Sequence, residues 1–250
     1  MTETSDNAFL GGRLNILQPK VGYRAGADPV FLAAAVGAKP GQTALDLGCG
    51  VGTAMLCLAT RVPGLELVGV ELQSELAALA RENLSRNSLS GDVWQADISA
   101  MPHDRKARRF DHVMTNPPFF DRKAGSRAAD AGREQGRGET IDVDAWLGFA
   151  IERIEPKGSL TVVNRIERLP DCLTALQGKV GHITVLPLAP RIGRPSKLFV
   201  LNAIRGSKGA FCLRSPLVLH TGVRHETDGD SYTEQAQAIL RGGAALLLRD

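Results

Sequence analysis

The chain has 250 residues, 43% hydrophobic and 23% charged, with a net charge of +3. That balance excludes a disordered chain, and the length supplies a sizeable core without staples. No apolar run approaches the ~18 residues of a membrane-spanning helix, and Met1–Leu10, with Glu3 and Asp6, lacks the apolar region of a secretory signal. The four cysteines (Cys49, Cys57, Cys172 and Cys212) have neither CxxC nor zinc-type spacing. They are expected as reduced thiols of a cytoplasmic protein, with no metal.

Asp28-Pro29 is a good helix start, with Asp as cap and Pro at the first helical position, and predicts a helix over 27–38. Thr43–Leu47 follows as a short apolar strand, then a helical stretch over 51–61. Leu65–Glu71 reads as a buried strand. Apolar residues at 76, 79, 80 and 84 predict a helix over 73–88. Strands are expected at 93–96 and 110–115, a helix at 142–154, a strand at 159–164 and a helix at 169–177. Two more strands, 182–188 and 197–204, are separated only by a turn at 189–196, so they read as an antiparallel hairpin. Strands alternating with helices imply a doubly wound α/β fold: a mostly parallel sheet covered on both faces. The segment 121–140, rich in Gly, Ala and charge, is expected as a surface loop. No strong domain boundary is visible. The chain reads as one domain: a lead-in and lid over 1–40, a core over 41–205 and an extension over 206–250.

Charge is distributed unevenly. From Cys172 to His225 there is no Asp or Glu, while eight basic residues occur: Lys179, Arg191, Arg194, Lys197, Arg205, Lys208, Arg214 and Arg224. Such asymmetry suggests a basic face for a polyanion. Further basic residues flank the strand at 110–115: Arg105, Lys106, Arg108 and Arg109 before it, Arg122, Lys123 and Arg127 after it. Phosphate contacts from such groups supply affinity without base specificity. The bland alternative for each cluster is a solvated face.

The sharpest motif is Asp46-Leu47-Gly48-Cys49-Gly50-Val51-Gly52. Glycines after a strand allow a tight turn and close approach of a ligand to backbone. The spacing is GxGxG, and Thr53 stands where a dinucleotide fingerprint would need its next glycine. Asp46 suits a ligand with positive charge and hydroxyls better than a pyrophosphate. Glu71, closing the next strand, can accept two ribose hydroxyls. Asp97, after the third strand, can accept from an adenine amino group. Each acid alone would be an ordinary loop carboxylate, but three at successive strand ends line one crevice. The other motif is Asn116-Pro117-Pro118-Phe119. Two prolines remove two N–H donors and leave carbonyl acceptors, to which Asn116 adds its side-chain oxygen. Such acceptors suit both hydrogens of a substrate –NH2, and the Phe119 ring offers a face for a flat base. The plainer reading is a rigid turn with a packing Phe.

The glycine turn and the three acids resemble the class I S-adenosylmethionine-dependent methyltransferases, over Thr43 to roughly Ile204. The resemblance implies a seven-stranded sheet with its last strand inserted antiparallel. Asn116–Phe119 resembles the NPP(F/Y) signature of enzymes that methylate exocyclic amines of nucleobases or the glutamine amide. The lead-in from Leu17 to Asp28, together with 205–209, 216–220 and 232–234, resembles the bacterial tRNA1(Val) adenine-37 N6-methyltransferase family. That resemblance implies S-adenosylmethionine as cofactor, held by Asp46, Gly48, Gly50, Glu71, Asp97 and Asn116, with Tyr23, Arg24 and Asp28 as a lid. It places Asn116, Pro117, Pro118 and Phe119 at the reacting amine and makes RNA, tRNA foremost, the partner. Alternatives are a protein glutamine N5-methyltransferase, which usually carries an extra N-terminal helical domain, an N-methyltransferase of other RNA, a non-catalytic RNA-binding protein, or a small-molecule O-methyltransferase.

Overall fold

The computed structural model describes residues 3–22, 24–118, 142–222 and 231–248. Tyr23, Phe119 and the expected loop at 121–140 lie outside them. The chain opens with an antiparallel pair, β1 (Thr4–Phe9) and β2 (Leu14–Pro19), which forms its own two-stranded sheet. There follow α1 (Asp28–Ala35), β3 (Thr43–Leu47), α2 (Thr53–Arg61), β4 (Glu66–Glu71), α3 (Ser74–Arg86), β5 (Asp92–Gln95), α4 (His103–Ala107) and β6 (Phe110–Thr115). The second half holds α5 (Val143–Glu152), β7 (Ile154–Arg165), α6 (Leu169–Leu176), β8 (Val180–Ala189), β9 (Leu198–Arg205), the two-residue strands β10 (Cys212–Leu213) and β11 (Leu217–Val218), and α7 (Glu234–Leu240).

Seven strands form the main sheet in the order β8-β9-β7-β6-β3-β4-β5, and β10 and β11 pair with the outer edge of β8. Only β9 runs antiparallel to its neighbours, inserted between β7 and β8. The parallel strands β3 to β8 therefore all end on one rim, and the turn between β8 and β9 lies on that rim too. Ligand crevices of open α/β sheets form at this carboxyl end.

Period-2 alternation sorts side chains between two cores. Leu45 and Leu47 of β3 join Leu147, Ala150 and Ile151 of α5 and Cys172 and Leu176 of α6 on one face. Ala44 joins Phe31 and Leu32 of α1 and Met55 and Leu58 of α2 on the other. By the same alternation Asp46 projects toward α2. Helices on both faces make the sheet doubly wound.

Two sequence expectations are corrected at their ends. The first helix stops at Ala35, and Asp28 is its first residue: Ala27 occupies the cap position and makes no side-chain capping bond. The strand expected at 159–164 begins at Ile154, and the register of β6 against β7 shifts between Phe110 and His112 to absorb the extra residues. The N-terminal hairpin was not expected. It is fastened by Asn83 of α3, whose Oδ1 accepts from Leu17 N at 2.8 Å while Nδ2 donates to Leu17 O and Val51 O at 3.0 Å.

Candidate active site

The backbone takes positive φ at Gly48 (77°), Gly50 (55°) and Gly52 (85°), a region that favours glycine. A Cβ on Gly48 would also stand 3.0 Å from the Trp146 ring. The turn is pinned to β4, since the N–H groups of Gly48 and Cys49 both donate to Val70 O at 2.9 Å.

Glu71 ends β4 against this turn and is 7% exposed. Its Oε2 accepts from Gly50 N and its Oε1 from Gln73 N, each at 2.9 Å. Burial pushes its pKa up, and these backbone N–H groups pull it down. A carboxylate oxygen has two lone pairs, so each can still accept a ligand hydroxyl. Ala96 N donates to Glu71 O at 3.0 Å, bringing the segment after β5 to the same crevice. Asp97 lies there, with Oδ1 accepting from Ser99 N and Oγ at 2.8 Å.

Asp46 is 2% exposed, and its Oδ2 has no hydrogen-bond partner among the described residues. Burial raises its pKa to about 7, the Met55 N–H at the start of α2 lowers it, and the Glu71 charge adds to the rise. The buried Thr53 Oγ1, at the first residue of α2, also has no partner among the described residues. Unpaired buried polar atoms are costly and call for an explanation. A polar, partly cationic ligand in the crevice would supply one. Cys49 lies in the same turn, but burial, and then the charges of Asp46 and Glu71, push its thiol pKa well up. A protonated thiol is a poor nucleophile.

The end of β6 completes the crevice. Thr115 Oγ1 donates to Leu47 O at 2.8 Å and accepts from Trp146 Nε1 at 2.9 Å, tying the ends of β3 and β6 to α5. The next residue, Asn116, holds a buried Oδ1 with no partner among the described residues. Pro117 is buried and Pro118 exposed. The Pro117 carbonyl accepts a long bond, 3.4 Å, from Asn164 Nδ2 at the end of β7, which uses one of its two lone pairs.

Asp46, Gly48, Gly50, Glu71 and Asn116 therefore all lie at the carboxyl ends of the neighbouring strands β3, β4 and β6, with Asp97 just beyond β5. Asp28 is half-buried at the start of α1. Burial raises its pKa, and among its charged neighbours Arg165, at the end of β7, lowers it. Arg24 is exposed and donates to Asn7 Oδ1 of β1 at 2.9 Å, so its described contact is with the hairpin. Sequence reasoning missed Trp146, Asn164 and Thr53. Asn164 carried the signal used for Glu71, a polar residue closing an apolar strand. Trp146 and Thr53 carried none that separates them from ordinary helix residues.

The basic cluster before β6 lies elsewhere. Because β6 runs toward the crevice, Arg105–Arg109 sit at its opposite end, about 17 Å away at ~3.3 Å per residue. Arg105 and Arg108 stack over Trp94, and Arg108 pairs with Glu66 Oε1 at 2.5 Å.

A family profile described as "Methyltransferase small domain" matches residues 28–187. A tRNA1(Val) (adenine(37)-N6)-methyltransferase of Porphyromonas gingivalis is 32% identical over 171 residues, 64% of this chain and 65% of that protein. A protein of the same name from Dickeya chrysanthemi is 27% identical over 90% of this chain and 89% of its own length. A structure from Agrobacterium tumefaciens, described as a predicted O-methyltransferase, superposes with a TM-score of 0.70 at 24% identity, covering 88% of this chain and 98% of that one. That structure shares the fold. With a matching profile over more than half its length and the strand order of the class I methyltransferases, the chain belongs to the methyltransferase small domain family.

Proposed function

We propose that this chain uses S-adenosylmethionine to methylate an exocyclic amine, the N6 of an adenine in tRNA. The observation that carries the reading is the pair of buried acceptors, Asp46 Oδ2 and Asn116 Oδ1, that have no partner among the described residues and lie at adjacent strand ends. Asp46 meets the cationic part of the cofactor, Glu71 the ribose hydroxyls and Asp97 the adenine, while Gly48 and Gly50 let the ligand approach the turn. S-adenosylmethionine supplies an electrophilic methyl group when bound. The names of the Porphyromonas and Dickeya relatives support adenine in tRNA as the acceptor.

The work of the protein's own groups is positioning. An adenine amine is a weak nucleophile because its lone pair is delocalised into the ring. Asn116 Oδ1 accepts one N–H of that amine, and the free lone pair of the Pro117 carbonyl accepts the other. Two fixed acceptors favour the pyramidal nitrogen of the transition state, and Asn164 holds the Pro117 carbonyl in place. The proton leaves to solvent after the N–C bond has formed, so no strong general base is required. Phe119, two residues beyond Pro117 in the sequence, is the residue for stacking the base, which must be splayed out of its own stack.

The test is transfer of labelled methyl groups to total tRNA, ribosomal RNA and protein extract from cells lacking this enzyme. Label recovered from tRNA as N6-methyladenosine is the expected result. Label only in protein, as methylated glutamine, overturns it.

A further inference from the structure

The acid-free stretch 172–225 does not form one basic face. Five of its described members divide between the two ends of the sheet. Lys179 and Arg205 flank the amino end of β8 and the carboxyl end of β9, which is the rim away from the crevice. Arg191, Arg194 and Lys197 occupy the β8–β9 turn on the crevice rim. That turn is joined to the site by a short run of bonds: Lys197 O accepts from Ile166 N at 2.9 Å, and Asn164, two residues earlier, donates to Pro117.

The turn is also braced. Arg191 donates to the carbonyls of Thr221 and Gly222 and to Ser231 Oγ, and His220 N donates to Pro190 O at 3.0 Å. The His220 ring stacks on Tyr232 with centroids 4.6 Å apart. Arg191 is thus engaged in holding the C-terminal extension on the rim. Arg194 and Lys197 are exposed, and neither meets a carboxylate among the described residues. Nearby Arg168 is paired with Asp171 at 3.0 Å. A braced turn that presents two cations unpaired among the described residues, beside a site for a flat amine, fits the phosphates that flank a splayed nucleotide.

We infer that Arg194 and Lys197, in the β8–β9 turn, form the phosphate-docking surface that holds the RNA strand while its base enters at Asn116-Pro117. The inference rests on the RNA reading above. Its rival is the amino-end cluster, where Lys106 and Arg109 are exposed as well.

The experiment compares wild type, R194E/K197E and K106E/R109E on undermodified total tRNA across a salt series. The rim variant should raise the KM for tRNA at least tenfold. Its salt slope should fall by about 1.4, at ~0.7 per phosphate contact on a single strand. Its kcat at saturating tRNA and its cofactor affinity should stay within twofold, and R194K/K197R should restore KM. An unchanged KM and slope in R194E/K197E, or a larger change in K106E/R109E, overturns the surface while wild-type labelling of tRNA keeps the proposed function. No labelling of tRNA by wild type overturns both.

Discussion

Two aspartates on neighbouring strands show what separates the two ends of the sheet. Asp111, at the amino end of β6, accepts from Thr43 N and Oγ1, both at 2.9 Å, and these bonds hold its pKa below the usual carboxylate value. Asp46, toward the carboxyl end of β3, is buried with one oxygen unpartnered among the described residues, and its pKa rises to about 7. The pattern extends to other polar groups. At the amino end His112 is held between Ser159 Oγ (2.8 Å) and Gln42 Oε1 (3.0 Å). At the carboxyl end Thr53 Oγ1 and Asn116 Oδ1 stay without partners among the described residues. At the amino end the buried side-chain atoms without partners among the described residues are donors, Arg61 Nε and Arg153 Nε, on guanidinium groups whose other nitrogens donate to backbone carbonyls. The carboxyl end leaves acceptors open, as a binding site does and a purely structural region does not.

The largest expected effect is at Asn116. Asn116→Ala should lower methyl transfer by roughly 10²–10³-fold, the range for removing one preorganised polar contact from a reacting group. Its cofactor affinity should stay within about twofold. A large loss of cofactor binding would make Asn116 part of the cofactor site instead of the amine site.

Asp46 gives a pH signature. From its unfolded value near 3.8 up to about 7, the folded state holds a proton that the unfolded state has released. Its contribution to stability is fully present below pH ~4 and is lost as pH rises through about 7. Wild type should therefore lose stability relative to Asp46→Asn between pH 4 and 7 and run parallel to it above. Urea unfolding of the ligand-free proteins across that range reads the difference. Parallel curves throughout would remove the raised pKa. Cofactor affinity should run the opposite way, strengthening as Asp46 ionises, and Asp46→Asn should flatten that dependence.

At the amino end, Asp111→Ala should cost about 1 kcal/mol of stability, since it removes two hydrogen bonds to a partly solvated carboxylate. Methyl transfer should not change, and a loss of activity in a folded Asp111→Ala protein would break the division between the two ends. The smallest effect is expected from K106E/R109E, whose KM for tRNA should stay within twofold of wild type.

The parts legible in the sequence were those encoded locally. β3 and β6 run over Thr43–Leu47 and Phe110–Thr115, as their apolar runs indicate. The glycine turn, Glu71 and Asn116 could be placed because strand ends of a parallel sheet share a rim. The N-terminal hairpin was not legible, because its six-residue strands lean on bonds from Asn83 and Asn87, which are 66–72 positions distant in the chain. Nor could charge runs be assigned to an end. Arg105–Arg109 and Arg191–Lys197 read alike as basic clusters, and only strand direction puts the first behind the sheet and the second beside the crevice. Trp146 was missed for a related reason: its partners, Gly48 and Thr115, belong to two other strand ends.

The central claim is that the carboxyl end of the sheet is the cofactor site. Calorimetric titration of S-adenosylmethionine into wild type, Glu71→Ala and Asp111→Ala tests it most directly. Glu71→Ala should weaken binding by roughly 10–100-fold, the equivalent of ~1.5–3 kcal/mol for hydrogen bonds to a charged group, and Asp111→Ala should bind as wild type does. Unchanged affinity in Glu71→Ala, or an equal loss in both variants, would contradict the account.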